Sequence, residues 1–174
     1  MRENGFTLIE MFMTLVIAAI LLAAVVPSWR HLSASMQIST QINTLLGHLR
    51  YARMEAVKRN RRVVVCESVD QQHCAHGDVW DQGWIVFVDE QVSATIRRDA
   101  GDPILVHHRR GAEATTLSAN RRFFRLEPNG TSTNGTFKLC SHDDMADPRA
   151  LIISRVGRTR VSKRDPYGDP LQCH

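Results

Sequence analysis

The first part of the chain is almost wholly apolar. Between Phe6 and Val26 the only polar residues are Thr7, Glu10 and Thr14. At the rise of an α-helix this run spans about 30 Å, which is the thickness of the hydrocarbon core of a bilayer. The run therefore predicts a membrane-spanning helix. One carboxylate, Glu10, lies within it, where a charge is costly unless it has a partner.

After Pro27 the apolar positions follow a helical stripe. They recur every three or four residues and predict one face of a helix packed on a core: Ile38, Ile42, Leu45, Leu49, Ala52 and Ala56. Pro27 removes one backbone hydrogen bond, so we expect it to bend the helix without necessarily ending it. We predict one helix from near Thr7 to near Arg59, about 80 Å long. The alternative is two helices broken around Pro27 and Ser28.

From Arg61 onward, short β-branched and aromatic runs alternate with turn residues, a pattern typical of antiparallel sheets. The predicted strands are 62–66, 83–88, 103–107, 122–126, 136–140, 150–155 and 158–162. The chain has 174 residues and no internal repeat, so we expect one domain besides the apolar segment. The predicted fold class is α+β, with one long helix packed on antiparallel β-sheets.

The segment before the apolar run is too short for a secretory signal peptide, which carries its own apolar core and cleavage site. Residues 5–10 resemble the class III signal of type IV prepilins and pseudopilins. The resemblance implies that a prepilin peptidase cleaves between Gly5 and Phe6 and that Phe6 is then N-methylated. It also implies that Glu10 serves filament assembly, with the amino terminus of a neighbouring subunit neutralising it. An ordinary signal anchor that tolerates Glu10 is the alternative.

The same resemblance implies the organisation of the chain and its location. A prepilin leader occupies 1–5, a transmembrane and assembly helix 6–28, and a globular type IV pilin domain 29–174, which includes the second half of the long helix. The chain is expected to cross the inner membrane once, with the globular domain in the periplasm, and to enter a type IV pilus or pseudopilus at the cell surface. The implied partners are membrane lipid, prepilin peptidase, and other major and minor pilins.

Four cysteines fit an oxidising compartment, where disulfides persist. They allow three pairings. We favour Cys66–Cys74 and Cys140–Cys173, because each bond would join a strand end to a nearby or otherwise loose segment. The alternative is a metal site, although the spacing is not a standard zinc pattern; its ligands would be Cys66, His73, Cys74 and His76. We expect no metal.

The globular part extends the resemblance to the minor pilin branch that includes GspH, FimU and FimT. The matching features are the loop enclosed by Cys66 and Cys74, the run 80–87, and a late strand with a Gly-Arg turn followed by a terminal cysteine.

No pattern typical of catalysis is found. The sequence has no glycine-rich loop between a strand and a helix and no Gly-x-Ser-x-Gly elbow. His107 and His108 are adjacent on a predicted strand, so their rings point to opposite faces and cannot bind one ion together. We expect neither an enzyme nor a cofactor.

The candidate chemistry lies in a basic segment near the C-terminus. Between positions 149 and 164 the segment contains no acid, and its cations are Arg149, Arg155, Arg158, Arg160, Lys163 and Arg164. Gly157 permits a tight turn, and Arg158 and Arg160 share a face if they lie on one strand. Two guanidiniums on one face can bind successive phosphates, and phosphate contacts supply sequence-independent affinity for DNA.

Residues 157–160 also resemble the Gly-Arg-x-Arg motif of the FimT members of this branch, which help to bind incoming DNA in natural transformation. The resemblance implies that Arg158 and Arg160 are the main contacts to double-stranded DNA, with Arg155, Lys163 and Arg164 in support. The expected function is therefore that of a minor type IV pilin that binds DNA non-specifically and promotes its uptake.

A structural role is the alternative. The chain would then be a minor pilin or pseudopilin of the tip complex that primes type IV pilus assembly or type II secretion. Its arginines would form a solvated patch and pair with Asp147, Asp165 or Asp169. A second basic cluster, 58–62, is either a solvated helix end or an extension of the DNA footprint.

Overall fold

A computed structural model of the chain describes residues 7–75, 77, 80–91, 96–110, 115–143 and 145–173, the side chains of 24–27 excepted. A single helix, α1, spans Leu8–Arg59 and continues through Pro27. It ends at Asn60, whose left-handed backbone has φ 52°. The prediction of one long helix is confirmed, and the alternative of a break at Pro27 is wrong. The predicted cleavage site, Gly5 and Phe6, lies outside the described residues.

The two halves of α1 differ in what surrounds them. Every side chain described from Leu8 to Ala23 is exposed, and the helix is long and apolar enough to cross a membrane. In the second half, the predicted stripe is at most 4% exposed and packs on the globular core. The first half is therefore free to contact lipid or other subunits, while the second half is part of the globular domain.

Eight strands lie in the described part of the chain and form two antiparallel sheets. Their bounds are β1 Arg62–Glu67, β2 Gly83–Asp89, β3 Ile104–Arg109, β4 Thr115–Ala119, β5 Phe123–Leu126, β6 Gly135–Ser141, β7 Arg149–Ile153 and β8 Thr159–Ser162. The first sheet has the order β3-β2-β1-β5, and the second has the order β4-β6-β7-β8. The predicted α+β class is confirmed, and one long helix packed on antiparallel sheets is the arrangement that the resemblance to type IV pilins implies.

The strand predictions differ from the structure by one or two residues at several ends, and more consequentially at β4 and at the turn between β7 and β8. Strand β4 was not predicted, because its Thr-Thr-Leu-Ser-Ala sequence contributes only Leu117 and Ala119 as apolar residues. The strand predicted at 150–155 ends at Ile153, and the strand predicted at 158–162 begins at Thr159. Both shifts have one cause, since the residues between β7 and β8 form a hydrogen-bonded turn.

The core lies between α1 and the inner faces of both sheets. Three aromatic side chains fill its centre. The ring centroids of Trp80 and Phe137 are 4.8 Å apart, and those of Phe124 and Phe137 are 4.4 Å apart. Because Phe124 belongs to β5 and Phe137 to β6, this cluster joins the two sheets beneath the helix.

Both favoured disulfides are present. Cys66–Cys74 joins the end of β1 to the following loop, with Cα atoms 5.5 Å apart. Cys140–Cys173 joins β6 to the end of the chain, with Cα atoms 5.9 Å apart. The alternative metal site is wrong as proposed, because two sulfurs bonded to each other cannot act as thiolate ligands. His76, its fourth ligand, lies outside the described residues.

Candidate nucleic-acid interface

The turn between β7 and β8 presents the candidate arginines; we call residues 154–160 the arginine turn. The backbone N–H of Gly157 donates to the Ser154 carbonyl oxygen at 2.9 Å, and that of Ser154 donates to the Arg158 carbonyl oxygen at 2.9 Å. Gly157 has φ 72°, a conformation that side chains disfavour. A Cβ atom at this position would collide with the carbonyl oxygen of Gly130. The turn therefore requires glycine for both its conformation and its packing.

Arg53 of α1 holds this turn from the helix side. Its Nη1 donates to the carbonyl oxygen of Gly157 at 2.9 Å, and its Nη2 donates to that of Val156 at 3.2 Å. The loop between β5 and β6 holds the same turn, since Ser132 donates from its backbone to Arg155 and from its hydroxyl to Ser154, each at 2.9 Å. The turn is thus fixed through its backbone, and its side chains are left for other contacts.

Arg158 and Arg160 are exposed on one face of the second sheet. Both line a shallow depression of about 370 Å³ together with Ile152 and Ser154. Arg158 directly precedes β8, and Arg160 pairs with Ile152 in the β7–β8 ladder. Among the residues that the structure describes, no carboxylate pairs with either guanidinium or with the exposed Arg155. Three positive charges therefore face solvent without neutralisation by any described carboxylate.

The two remaining supporting cations make contacts within the protein. Lys163 Nζ donates to Asp147 Oδ2 at 2.7 Å, and this hydrogen bond is the main cause that lowers the pKa of Asp147. Arg164 Nη1 donates to the carbonyl oxygen of Gly168 at 2.7 Å. The alternative was that acids neutralise the cations of the basic segment 149–164. Among the described residues, only Lys163 has such a carboxylate partner. Arg158 and Arg160 are paired with none of the three aspartates suggested from the sequence.

A second cleft brings cations of α1 beside Arg158. It has a volume of about 320 Å³ and a largely apolar lining, with Arg50, Arg53 and Arg158 along it. Arg50 is exposed, and no carboxylate pairs with it in the described part of the chain. Sequence reasoning assigned no role to Arg50 or Arg53, because they lie about a hundred residues before the turn and only the fold brings them to it.

The helix-end cluster, residues 58–62, differs from the arginine turn. Arg59 Nε donates to the Glu55 carboxylate, and this bond is the main cause that lowers the pKa of Glu55. Arg62 lies 2.9 Å from Glu127 and 3.6 Å from Asp89. Lys58 and Arg61 are exposed, and Lys58 lies 3.8 Å from Glu55. Two of the four cations in this cluster are thus held closely by carboxylates.

Glu10 closes the N-terminus of α1 as part of a capping box. Its Oε2 accepts hydrogen bonds from the Thr7 backbone N–H at 2.9 Å and from the Thr7 hydroxyl at 2.8 Å. In return, the Glu10 backbone N–H donates to the Thr7 hydroxyl at 3.3 Å. The carboxylate therefore has partners within its own helix. Its neutralisation by the amino terminus of a neighbouring subunit stays a prediction.

Comparison with protein families gives two matches. The prokaryotic N-terminal methylation motif matches residues 1–26, and the family described as type II transport protein GspH matches residues 41–157. Together they cover the apolar segment, most of the second half of α1 and the sheets up to Gly157. Comparison with curated proteins gives no match.

Three solved structures resemble this fold. One crystal form of the type IV minor pilin FimU of Pseudomonas aeruginosa gives a TM-score of 0.52 at 22% identity, covering 78% of this chain and 93% of that one. Another crystal form of FimU gives a TM-score of 0.50 at 22% identity, covering 77% of this chain and 97% of that one. The minor pseudopilin EpsH of the type 2 secretion system of Vibrio cholerae gives 0.47 at 11% identity, covering 72% and 95%. With the GspH match over more than half of its length, this chain belongs to the GspH family and is a minor pilin or pseudopilin of a type IV pilus or a type II secretion system.

Proposed function

We propose that this minor pilin binds double-stranded DNA without sequence preference through its arginine turn and promotes DNA uptake in natural transformation. The observation that supports this most strongly is the pair Arg158 and Arg160, two exposed guanidiniums on one face that no carboxylate pairs with among the described residues. A guanidinium presents a planar set of donors that matches phosphate geometry. Contacts of this kind supply affinity that does not depend on base sequence.

The rigidity of the turn adds to this argument. Residues two apart along a strand are about 7 Å apart, so each guanidinium can bind its own phosphate group. Because Arg53 and Ser132 hold the backbone of the turn, little backbone order has to be gained when DNA binds. Arg155 and Arg50 flank the pair on either side and extend the positive surface.

The proposal includes the processing and location of the chain. A prepilin peptidase would cleave between Gly5 and Phe6, and Phe6 would be methylated, which the match to the N-terminal methylation motif supports. The exposed first half of α1 would hold the subunit in the inner membrane before assembly. The globular domain would then lie in the periplasm and reach the cell surface within the filament, where it can meet DNA.

The test uses the full chain in a non-ionic detergent and a blunt DNA duplex. We expect the wild-type chain to bind duplexes of unrelated sequence with equal affinity. We expect the double change Arg158→Ala and Arg160→Ala to weaken binding on the order of a hundredfold, because two charge-assisted contacts are lost. Fluorescence anisotropy at low salt measures both affinities.

The matched control removes the same number of arginines from β3 and from the segment before it, where Arg97 Nη2 lies 3.1 Å from Asp99 Oδ1. Arg97 and Arg109 are exposed, and β3 is separated from β5 by two strands. Arg97→Ala with Arg109→Ala should leave the affinity unchanged, which separates the turn from net charge. Equal weakening by both double changes would overturn the assignment to the arginine turn. If the wild-type chain did not bind DNA at all, the structural role in the tip complex would stand alone.

A further inference from the structure

A groove of about 960 Å³ begins beside the arginine turn. The outer face of the second sheet forms its floor, and the C-terminal tail, residues 165–172, forms its opposite wall. The groove shares Ile152 and Ser154 with the depression under Arg158 and Arg160. The groove and the depression are therefore one continuous surface.

The tail that walls the groove is fastened to the sheet at its far end and is closed into a turn at its near end. At its far end the disulfide Cys140–Cys173 joins it to β6, and Lys138 Nζ donates to the Gln172 carbonyl oxygen. At its near end Arg164 forms a β-bridge with Pro170 and donates to Gly168. A groove with a covalently fixed wall keeps its shape before a ligand enters.

The chemistry of the groove changes along its length. Arg155 lines it next to the arginine turn. Farther on, the wall presents the ring of Tyr167, which is 91% exposed, between Asp165 and Asp169. Asp165 Oδ1 accepts from the backbone N–H groups of Tyr167 and Asp169 at 2.9 Å and 2.8 Å, so this carboxylate shapes the turn that carries the ring.

Side-chain amides complete the lining. The exposed Asn120 and Asn134 lie along the groove, and Asn120 uses its carbonyl oxygen to accept from the Thr136 backbone, which leaves its NH₂ group as a donor. A fitting ligand therefore carries anionic groups at the arginine end and neutral, flat, hydrogen-bonding rings beyond it. A single-stranded nucleic acid supplies both kinds of group when its bases enter the groove and its phosphates lie toward the arginines and solvent, away from Asp165 and Asp169.

We infer that the groove binds a single-stranded end of the DNA whose duplex part rests on the arginine turn, with a base stacked on Tyr167. This rests on the proposed function and specifies its substrate as DNA with a frayed or resected end. A cavity of this size is typical of sites for small ligands, and a duplex has no unpaired ring to offer. Aromatic stacking is tolerant of sequence, as the proposed function requires.

The experiment compares a blunt duplex with the same duplex carrying a short single-stranded extension of thymidines. With the full chain in non-ionic detergent, we expect the extension to tighten binding about fivefold to a hundredfold, the range for one stacked base. Tyr167→Ala should abolish this gain and leave the affinity for the blunt duplex unchanged. Tyr167→Phe should retain the gain, because it keeps the ring. Tyr167 is almost fully exposed, so neither change disturbs the core.

The outcomes separate the two proposals. If the blunt duplex binds through the arginine turn but the extension adds nothing, the groove inference is overturned and the proposed function remains. The groove inference is also overturned if the extension still tightens binding to the Tyr167→Ala variant. If neither DNA binds the wild-type chain, both proposals fail. Changing Cys140 and Cys173 together to Ser releases the wall, and we expect it to remove the gain while blunt-duplex binding persists.

Discussion

Two basic regions of this protein use their arginines in opposite ways. At the helix-end cluster, Arg59 and Arg62 are held by Glu55, Asp89 and Glu127. At the arginine turn, the backbone is held by Arg53 and Ser132, whereas Arg158 and Arg160 face solvent and pair with no carboxylate in the part of the chain that the structure describes. The helix-end cluster is the more densely basic of the two in the sequence, so charge density alone does not identify the arginines that stay free of carboxylates in the described part of the chain.

The difference lies in which part of the residue the fold restrains. An arginine that stabilises the fold has a restrained side chain with a carboxylate beside it. An arginine available to a ligand has a restrained backbone and a free side chain. Arg53 also has a restrained side chain, but its partners are the backbone carbonyl oxygens of Gly157 and Val156, and through them it holds the turn that presents Arg158. The following changes test this division.

We expect the largest change in stability from Arg62→Met. The guanidinium of Arg62 lies between Glu127 and Asp89, and Asp89 is only 4% exposed. Removing this charge should lower the free energy of unfolding by about 2 kcal/mol, less than for a fully buried pair because Glu127 is partly exposed. Urea denaturation measures the loss. DNA affinity should stay at the wild-type level, and a fall in affinity with unchanged stability would contradict the division.

A smaller effect on stability is expected from Arg53→Leu, which keeps the apolar part of the side chain. It removes two hydrogen bonds to the arginine turn and should lower stability by about 1–2 kcal/mol. It should also weaken DNA binding several-fold, because the turn is no longer fixed. Arg53→Lys keeps the charge and one donor nitrogen, so its stability and its DNA affinity should lie between those of the wild-type chain and those of Arg53→Leu. If Arg53→Leu left DNA binding unchanged, a rigid turn would not be needed.

Acidification should change the stability of the fold and leave the arginine turn unaffected. Trp84 Nε1 donates to His48 Nδ1 at 3.1 Å, and His108 stacks on Trp84. Burial lowers the pKa of both histidines; for His108, the neighbouring His48 and Arg110 also contribute. The unfolded chain therefore takes up protons first, below about pH 6.5.

The stability supplied by these histidines is thus fully present above that pH and is lost as the pH falls toward their folded pKa. Protonating His48 Nδ1 removes the acceptor for Trp84, which is worth about 1 kcal/mol. His48→Gln keeps an acceptor that does not titrate, so its denaturation midpoint should depend less on pH. DNA affinity should change little over the same range, because guanidiniums stay charged. If the denaturation midpoint of the wild-type chain did not depend on pH, the predicted loss of stability on histidine protonation would be contradicted.

Much of the fold follows from sequence pattern. The stripe from Ile38 to Ala56 has strict helical spacing and a uniform burial requirement, so it predicts both the helix and its packed face. A tight turn at Gly157 follows from its place between two strand-like runs. Strand β4 could not be predicted, because residues 115–119 form a strand through pairing with β6 rather than through their own apolar content.

The site was only partly predictable. Arg158 and Arg160 stand out because they are close in sequence and near a glycine. The sequence does not single out Arg53, Arg50 or Tyr167, because the roles proposed for them depend on contacts between segments that are distant along the chain. The pairing of Lys163 with Asp147 likewise depends on where two loops meet. Local spacing predicts a turn, but the fold decides which of its charges remain free.

The salt dependence of DNA binding tests the central claim most directly. For the wild-type chain, the logarithm of the binding constant should fall linearly with the logarithm of salt concentration, with a slope of about −0.9 for each phosphate contact. Arg158→Ala with Arg160→Ala should make this slope shallower by about two units. Lys58→Ala with Arg61→Ala, which removes the same charge from the helix-end cluster, should leave it unchanged. Equal slopes for the wild-type chain and the Arg158/Arg160 variant would contradict the assignment of DNA binding to the arginine turn.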